Sequence, residues 1–159
     1  MPRFGKRSKK RLKGVDPKLV NVLNELIKIM DVTIIEGLRS KERQEQLLAQ
    51  GKTKVKYSKH MEGKAVDLAP YPIDWEDRER FHYMGGMLRG IGHQLGLKIR
   101  WGGDWDSDGE IKDNRFDDLV HVELRDYLWL KAYLKKLWSQ LGIGLLIEFL
   151  KPLLDLIMK

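Results

Sequence analysis

The sequence predicts a small α+β domain in which helices flank a mostly antiparallel sheet. The first reason is length, because 159 residues are typical of one domain and can bury roughly two thirds of the unfolded surface. The second reason is the order of the apolar patterns, which predicts helix, strand, helix, strand, helix, strand, strand and helix. This order favours the α+β class.

Three helices are predicted in the first hundred residues. Asp16 followed by Pro17 is typical of an N-cap and a first helical position, and apolar residues then recur at helical spacing. Ser40 is expected to cap a second helix that ends near Gly51. A third helix is expected over about residues 75–95, where apolar side chains share one side.

Four strands are predicted from β-branched and alternating segments. They cover residues 32–35, 64–69, 97–101 and 119–124. The loop over residues 52–59 is basic, whereas the long loop over residues 102–118 is acidic.

The net charge of +7 is concentrated at the N-terminus. Residues 1–14 hold seven basic residues and no acid, which leaves 23 basic and 23 acidic residues in the remainder. We expect this segment to be a basic tail, either solvated and disordered or bound to an anionic surface: nucleic acid, phospholipid or an anionic wall polymer. The balanced remainder and the lack of a nucleic-acid-binding motif argue against a specific nucleic-acid partner.

No apolar run follows the basic N-terminus. A secretory signal requires one, so we expect the chain to be synthesised in a cytoplasm without a signal peptide. If the substrate lies outside the inner membrane, another component must let the protein through.

The C-terminal part is expected to be helical from about Tyr127, and residues 141–159 form a separate amphipathic segment. Its charged residues fall on one narrow stripe, while leucines and other apolar residues occupy most of the rest, and Pro152 is expected to kink it. The charges argue against a membrane-spanning helix. An interfacial membrane helix and a helix packed on the domain or on a second copy are both consistent with the pattern.

The absence of cysteine excludes disulfides, thiolate metal ligands and a cysteine nucleophile. Any metal must therefore be held by His, Asp or Glu. His60 lies just before a predicted strand that contains Asp67, and His121 lies in the last predicted strand. Two imidazoles and one carboxylate make a three-ligand set for catalytic zinc, although residues of these types in strands are more often simply packed or solvated.

Hydrolysis at such a site also needs a general base. Asp118, three residues before His121 and expected in a turn, is the first candidate. Glu123 is the competing candidate, because alternation in the strand places it on the same side as His121.

The acidic loop contains a second candidate metal site. Its carboxylates are spaced as in the first half of an EF-hand calcium loop, at Asp104, Asp106 and Asp108, followed by Gly109. The glutamate at the twelfth position is replaced by Arg115, and Asp113 or Asp117 would have to substitute for it. A solvated acidic loop is the alternative.

Two separated motifs carry a resemblance to a known family. They are Ser58-x-His60-x-x-Gly63-x-Ala65-x-Asp67 and Asp118-x-x-His121. Together they resemble the zinc peptidases that include D-alanyl-D-alanine carboxypeptidases and L-alanyl-D-glutamate endopeptidases, which share a metal-site fold with the hedgehog signalling domain. The resemblance runs from about Phe4 to Leu124 and is closest to bacteriophage endolysins of the L-alanyl-D-glutamate type.

The resemblance implies roles for individual residues. His60, Asp67 and His121 match the zinc ligands. Asp118 matches the acidic residue that acts as the base, Arg39 matches an arginine that stabilises the oxyanion, and Ser58 matches a serine that contacts substrate or supports the loop.

The resemblance also implies a division of the chain and an activity. We expect a zinc peptidase domain over residues 15–140, between the basic tail and the amphipathic segment. The expected activity is hydrolysis of the peptide stem of peptidoglycan during host lysis, at the cell wall. A D,D- or L,D-carboxypeptidase and a non-catalytic, wall-binding zinc module are the alternatives.

Overall fold

The computed structural model describes residues 2–125, and their architecture is the predicted α+β fold. The helices are α1 (Lys6–Arg11), α2 (Pro17–Ile29), α3 (Lys41–Ala49) and α4 (Arg78–Gln94), with a short 3-10 helix at Lys59–Glu62. The strands are β1 (Val32–Glu36), β2 (Ala65–Pro70), β3 (Ile99–Gly102) and β4 (Asp118–Leu124). Helix α1 and the 3-10 helix were not predicted.

The predicted caps are present. The Asp16 carboxylate accepts a hydrogen bond from the Lys18 N–H at 2.8 Å, and the Ser40 hydroxyl accepts one from the Arg43 N–H at 3.2 Å. Each cap satisfies an N–H group that has no partner within its own helix.

The four strands form one sheet in the order β1-β2-β4-β3, and all three pairings are antiparallel. The core includes the buried faces of α2 and α4, with side chains such as Leu23 and Leu88, and the sheet residues Val66, Leu68 and Val122. The central pair β2–β4 has Asp67 directly opposite His121. The sheet therefore brings two polar residues together at its centre.

The basic N-terminal segment differs from the expected solvated tail. Helix α1 lies along β1, the edge strand, where the Ile34 N–H donates to the Ser8 hydroxyl at 3.2 Å and Arg11 Nη1 donates to the Ile34 carbonyl at 2.6 Å. Phe4 is also buried. The segment thus covers the open edge of the sheet, and these long-range contacts explain why a charge pattern alone did not indicate a helix.

The predicted helix from Tyr127 and the amphipathic segment over residues 141–159 lie outside the described residues. Within residues 2–125, no helix is long and apolar enough to cross a membrane.

Because α1 is hydrogen-bonded to β1, the hydroxyl of Ser8 is expected to contribute to stability. Ser8→Ala would leave the buried Ile34 N–H without a partner, and we expect the free energy of unfolding to fall by about 1–3 kcal/mol. Urea unfolding followed by circular dichroism measures this change. The control is Lys9→Ala on the same helix, whose exposed side chain should contribute within about 0.5 kcal/mol. Equal stability of the wild type and Ser8→Ala would contradict the role assigned to α1.

Candidate metal centre and active site

Three side chains predicted as metal ligands meet at the centre of the sheet. His60 Nε2 lies 3.1 Å from Asp67 Oδ1 and 3.3 Å from His121 Nδ1, and His121 Nδ1 lies 3.1 Å from the same Asp67 oxygen. His60 and His121 are buried, and Asp67 is partly exposed. The three ligand atoms therefore form a nearly equilateral triangle.

The dimensions of this triangle fit a metal ion. A tetrahedral zinc ion about 2.0–2.1 Å from each ligand atom would hold those atoms about 3.3 Å apart. The observed separations of 3.1–3.3 Å are close to that value. Three protein ligands would also leave a fourth position open, as in catalytic zinc sites.

Outer hydrogen bonds orient both imidazoles. His60 Nδ1 lies 2.8 Å from the carbonyl oxygen of Gly37, and His121 Nε2 lies 3.1 Å from Glu123 Oε2. These acceptors favour a proton on the outer nitrogen of each ring, which leaves the inner lone pair facing the triangle. Glu123 is held in turn by Arg100, whose Nε donates to Oε1 at 2.9 Å.

The electrostatics of the metal-free site match this arrangement. Burial alone would raise the pKa of Asp67, but hydrogen bonds from His121 and His60 hold it well below its ordinary value. Burial opposes the charged form of His121, yet its hydrogen bonds to Asp67 and Glu123 raise the pKa of His121 to about 9. The carboxylates of Asp67 and Glu123 therefore favour a positive charge beside them. A bound divalent cation would supply this charge.

The turn that carries His60 is built by Ser58 and Gly63. The Ser58 hydroxyl accepts a hydrogen bond from the His60 N–H at 3.4 Å and caps the 3-10 helix. Gly63 ends that helix with φ at +69°, and a Cβ added there would lie 2.3 Å from the Gly14 carbonyl oxygen. The glycine of the motif is thus required by both backbone conformation and close packing.

Arg39 lies beside the triangle. Its Nη2 is 3.7 Å from Asp67 Oδ2 and is ion-paired with Glu36, while its Nη1 donates to Gln44 Oε1 at 2.8 Å. The side chain is 9% exposed, and its Nε is buried with no hydrogen-bond partner in the described part of the chain. The guanidinium is therefore held in place beside Asp67.

Asp118 begins β4 and does not lie in the predicted turn. It is half-buried. Burial raises the pKa of Asp118, and the nearby negative charge of Asp67 raises it further, against smaller opposing effects of His121, His60 and Arg39. Asp118 is therefore close enough to interact with both the triangle and the arginine.

Comparison with known proteins agrees with this arrangement. The family model described as phage L-alanyl-D-glutamate peptidase matches residues 1–125. The L-alanyl-D-glutamate peptidase of Escherichia phage T5 is 38% identical over 134 residues, which cover 77% of this chain and 97% of that protein. The chain belongs to the phage L-alanyl-D-glutamate peptidase family.

One solved structure shows that the fold of this family member is also shared. The L-Ala D-Glu endopeptidase ChiX of Serratia marcescens matches with a TM-score of 0.64 and 27% identity, over 80% of this chain and 92% of that one. The vancomycin-resistance D,D-pentapeptidase VanY, solved with Zn(II), matches with a TM-score of 0.47 and 14% identity, over 69% and 72% of the two chains. The predicted resemblance is confirmed by the family match.

In this peptidase, the acidic loop approaches the site through an aromatic side chain. Trp105 stacks on His121 with ring centroids 5.6 Å apart, and Arg100 lies over the same indole at 5.3 Å. Trp105 and the exposed Phe116 also line a cleft of about 400 Å³. Sequence reasoning did not identify Trp105 as a neighbour of the metal ligands, because the contact depends on how the loop folds back.

The acidic loop also brings together the predicted calcium ligands. One carboxylate oxygen from each of Asp104, Asp106 and Asp108 lies within 4.8 Å of the others. Asp104 is buried and ion-paired with Arg89, and its Oδ1 has no hydrogen-bond partner among the described residues. Desolvation and the charges of Asp108 and Asp106 raise the pKa of Asp113, but among the described residues the cluster of carboxylate oxygens is formed by Asp104, Asp106 and Asp108 without it. Asp117, the other predicted substitute, is ion-paired with Arg78.

Two further polar residues were missed by sequence reasoning. Gln44 is 1% exposed and bridges Arg39 to the Val55 carbonyl, to which its Nε2 donates at 2.7 Å. Glu36 forms the ion pair with Arg39. The only available sequence signal was their position, since Glu36 lies three residues before Arg39 and Gln44 one helical turn after Ser40.

The triangle predicts that His121 is required for metal retention. We expect purified wild-type protein to carry about one zinc ion per chain and His121→Ala to lose it, because two remaining ligands bind zinc far more weakly. Zinc content after dialysis is measured by inductively coupled plasma mass spectrometry. The control is His93→Ala, which removes an exposed histidine at the end of α4. Full zinc content in His121→Ala would refute the ligand set.

Proposed function

We propose that this chain is a zinc-dependent peptidoglycan peptidase that hydrolyses the bond between L-alanine and D-glutamate in the stem peptide. The observation that carries the proposal is the ligand triangle of His60, Asp67 and His121, with Asp118 and Arg39 beside it, in a chain of this family. A purely structural metal site would need neither an ionisable base nor a guanidinium beside it.

When bound, zinc supplies Lewis acidity that polarises the substrate carbonyl and lowers the pKa of water to about 7. Asp118 accepts the proton of the attacking water and returns it to the leaving amine. Its raised pKa suits this role, because a base with a pKa closer to the working pH transfers protons in both directions more readily.

Arg39 stabilises the negative charge that develops on the carbonyl oxygen. The support is its restrained position beside Asp67. A donor fixed before the reaction stabilises developing charge without a cost of reorganisation. Ser58 supports the turn through the His60 N–H.

Glu123 is the weaker candidate for the base. Both of its oxygens are engaged, one by His121 and one by Arg100. Burial alone would raise the pKa of Glu123, but its hydrogen bond to His121 and the charge of Arg100 lower it. We therefore assign Glu123 to the orientation of His121.

The scissile bond is tested by digesting purified sacculi and analysing the muropeptides by mass spectrometry. Cleavage after L-alanine releases peptides that begin with D-glutamate and leaves L-alanine on the sugar. A D,D- or L,D-carboxypeptidase would instead shorten the stem by a terminal D-alanine. Products of the second kind alone would overturn the proposed specificity.

The assignment of Asp118 as base predicts that its substitution affects turnover and leaves zinc binding intact. Asp118→Asn should retain zinc but lower kcat by about a hundredfold or more. In the wild type, kcat/KM should fall as pH falls through the raised pKa of Asp118, because the base must be ionised. The steady-state rate on a soluble muropeptide measures both effects.

Glu123→Gln is the comparison variant for this test. It should weaken zinc binding by about 10–100-fold, as expected when a group that orients a ligand is altered, and retain more turnover at saturating zinc than Asp118→Asn. A large loss of kcat in Glu123→Gln with little effect of Asp118→Asn would reverse the two assignments.

We also propose that the acidic loop binds calcium through Asp104, Asp106, Asp108 and Asp113. The support is the clustering of carboxylate oxygens and the buried, unpartnered Oδ1 of Asp104, whereas the ion pair with Arg89 weakens the site.

Calorimetric titration of zinc-loaded protein should show calcium binding at micromolar to millimolar concentration, and Asp106→Asn with Asp108→Asn should abolish it. Glu110→Gln is the control, since that position of such a loop contributes its carbonyl. A flat titration of the wild type would remove the calcium proposal.

The proposed site of action is the cell wall, with two segments that contact anionic membrane. The support is the exposed lysines of α1 and the amphipathic pattern of residues 141–159. Sedimentation with anionic vesicles compares the full chain with a chain ending at residue 140. Unchanged binding together with full activity on sacculi would exclude the C-terminal segment as a membrane contact.

A further inference from the structure

The loop between α3 and the 3-10 helix carries a concentrated positive charge. We call residues 51–57 the lysine loop, because Lys52, Lys54 and Lys56 alternate along it and it contains no acid. All three side chains are exposed, and none forms an ion pair within the described residues. The neighbouring Tyr57 is 75% exposed. The loop therefore presents unneutralised cations to solvent.

This loop is attached to the active site at two points. In its middle, the Val55 carbonyl accepts a hydrogen bond from Gln44, whose amide oxygen holds Arg39. At its end, the chain passes from Tyr57 into Ser58 and the 3-10 helix that contains His60. A single buried side chain, that of Gln44, thus separates the loop backbone from the guanidinium, and two residues separate the end of the loop from a proposed metal ligand.

The loop that reaches the other histidine has the opposite charge. Residues 103–117 contain six acids and two basic residues, and their Trp105 stacks on His121. The site is therefore connected to a basic loop that leads to His60 and contacted by an acidic loop through Trp105. A substrate with unevenly distributed charge would be oriented by this difference.

The proposed substrate has such a distribution. D-Glutamate that is joined to the next residue through its γ-carboxyl keeps its α-carboxylate free. Further carboxylates follow towards the end of the stem. The other side of the scissile bond holds L-alanine and an uncharged sugar. The carboxylates would be repelled by the acidic loop and attracted by the lysine loop.

We propose that the lysine loop binds the carboxylate-bearing part of the stem on the D-glutamate side of the cleaved bond and so determines the direction in which the substrate lies. This inference rests on the proposed function. Gln44 keeps the loop in register with Arg39, so that carboxylate binding and carbonyl activation occur in one fixed geometry.

The experiment compares two synthetic stem tripeptides with zinc-loaded enzyme. One contains γ-linked D-glutamate, and the other contains D-isoglutamine, in which an amide replaces the α-carboxylate. The protein variant replaces Lys52, Lys54 and Lys56 by glutamine. The matched control replaces Lys6, Lys9 and Lys10 on α1 by glutamine, which removes the same charge from an exposed surface of the N-terminal segment.

We expect the wild type to favour the D-glutamate peptide by roughly three- to tenfold in kcat/KM, mainly through KM, as expected for exposed charge pairs. The lysine-loop variant should lose this preference, because its kcat/KM should fall more on the D-glutamate peptide than on the isoglutamine peptide, and the α1 variant should keep it. The preference should also shrink at high salt only in proteins that retain the lysine loop.

Three results would overturn the inference. They are no preference in the wild type, an unchanged preference in the lysine-loop variant, or an equal loss on both peptides, which would indicate non-specific attraction. Failure of the proposed function is distinct, because the wild type would then cut neither peptide after L-alanine, and the inference would fall with it.

Discussion

The pairing register of β2 with β4 is the constraint on which the site depends. It places Asp67 directly opposite His121, close enough for their polar atoms to lie 3.1 Å apart. A shift by one residue would turn Asp67 into the core and bring Val66 or Leu68 to the polar face. Because those two residues are completely buried, the hydrophobic core enforces the register that the metal site requires. Stability and ligand geometry are thus determined by the same strand alternation.

The polar and charged side chains around Asp67 and His121 are held in place by residues that are not candidate metal ligands. The Gly37 carbonyl orients His60, Glu123 orients His121, and Arg100 holds Glu123. On the opposite side, Arg39 is restrained by Glu36 and Gln44. Buried charged groups are costly unless paired, so these outer contacts allow a carboxylate, two imidazoles and a guanidinium to lie together. They also leave little freedom for rearrangement when an ion binds.

Features that depend on local chemistry could be predicted from the sequence, whereas features that depend on distant contacts could not. Alternation and capping residues predicted β2, β4 and the helices that begin at Pro17 and Lys41, and motif spacing brought the three ligand candidates together. Helix α1 was missed because its support is a pair of hydrogen bonds to Ile34, more than twenty residues away. Gln44 was missed because a polar helical residue is ordinarily solvent-exposed, and only the folded chain shows that it is buried.

The position of Asp118 shows how an irregularity in the sheet serves the site. Residues three apart in a regular strand point to opposite faces, so Asp118 and His121 would not share a side. The register of β3 with β4 shifts between Trp101 and Gly102, whose partners are Val122 and Asp118. A Cβ on Gly102 would lie 2.2 Å from the Asp118 carbonyl oxygen, so this close approach requires glycine. The bulge breaks the alternation, and the charges of Asp67, His121 and Arg39 consequently act on Asp118. One glycine and a local break in pairing thus allow the proposed base and a proposed metal ligand to lie on the same strand, without an additional element.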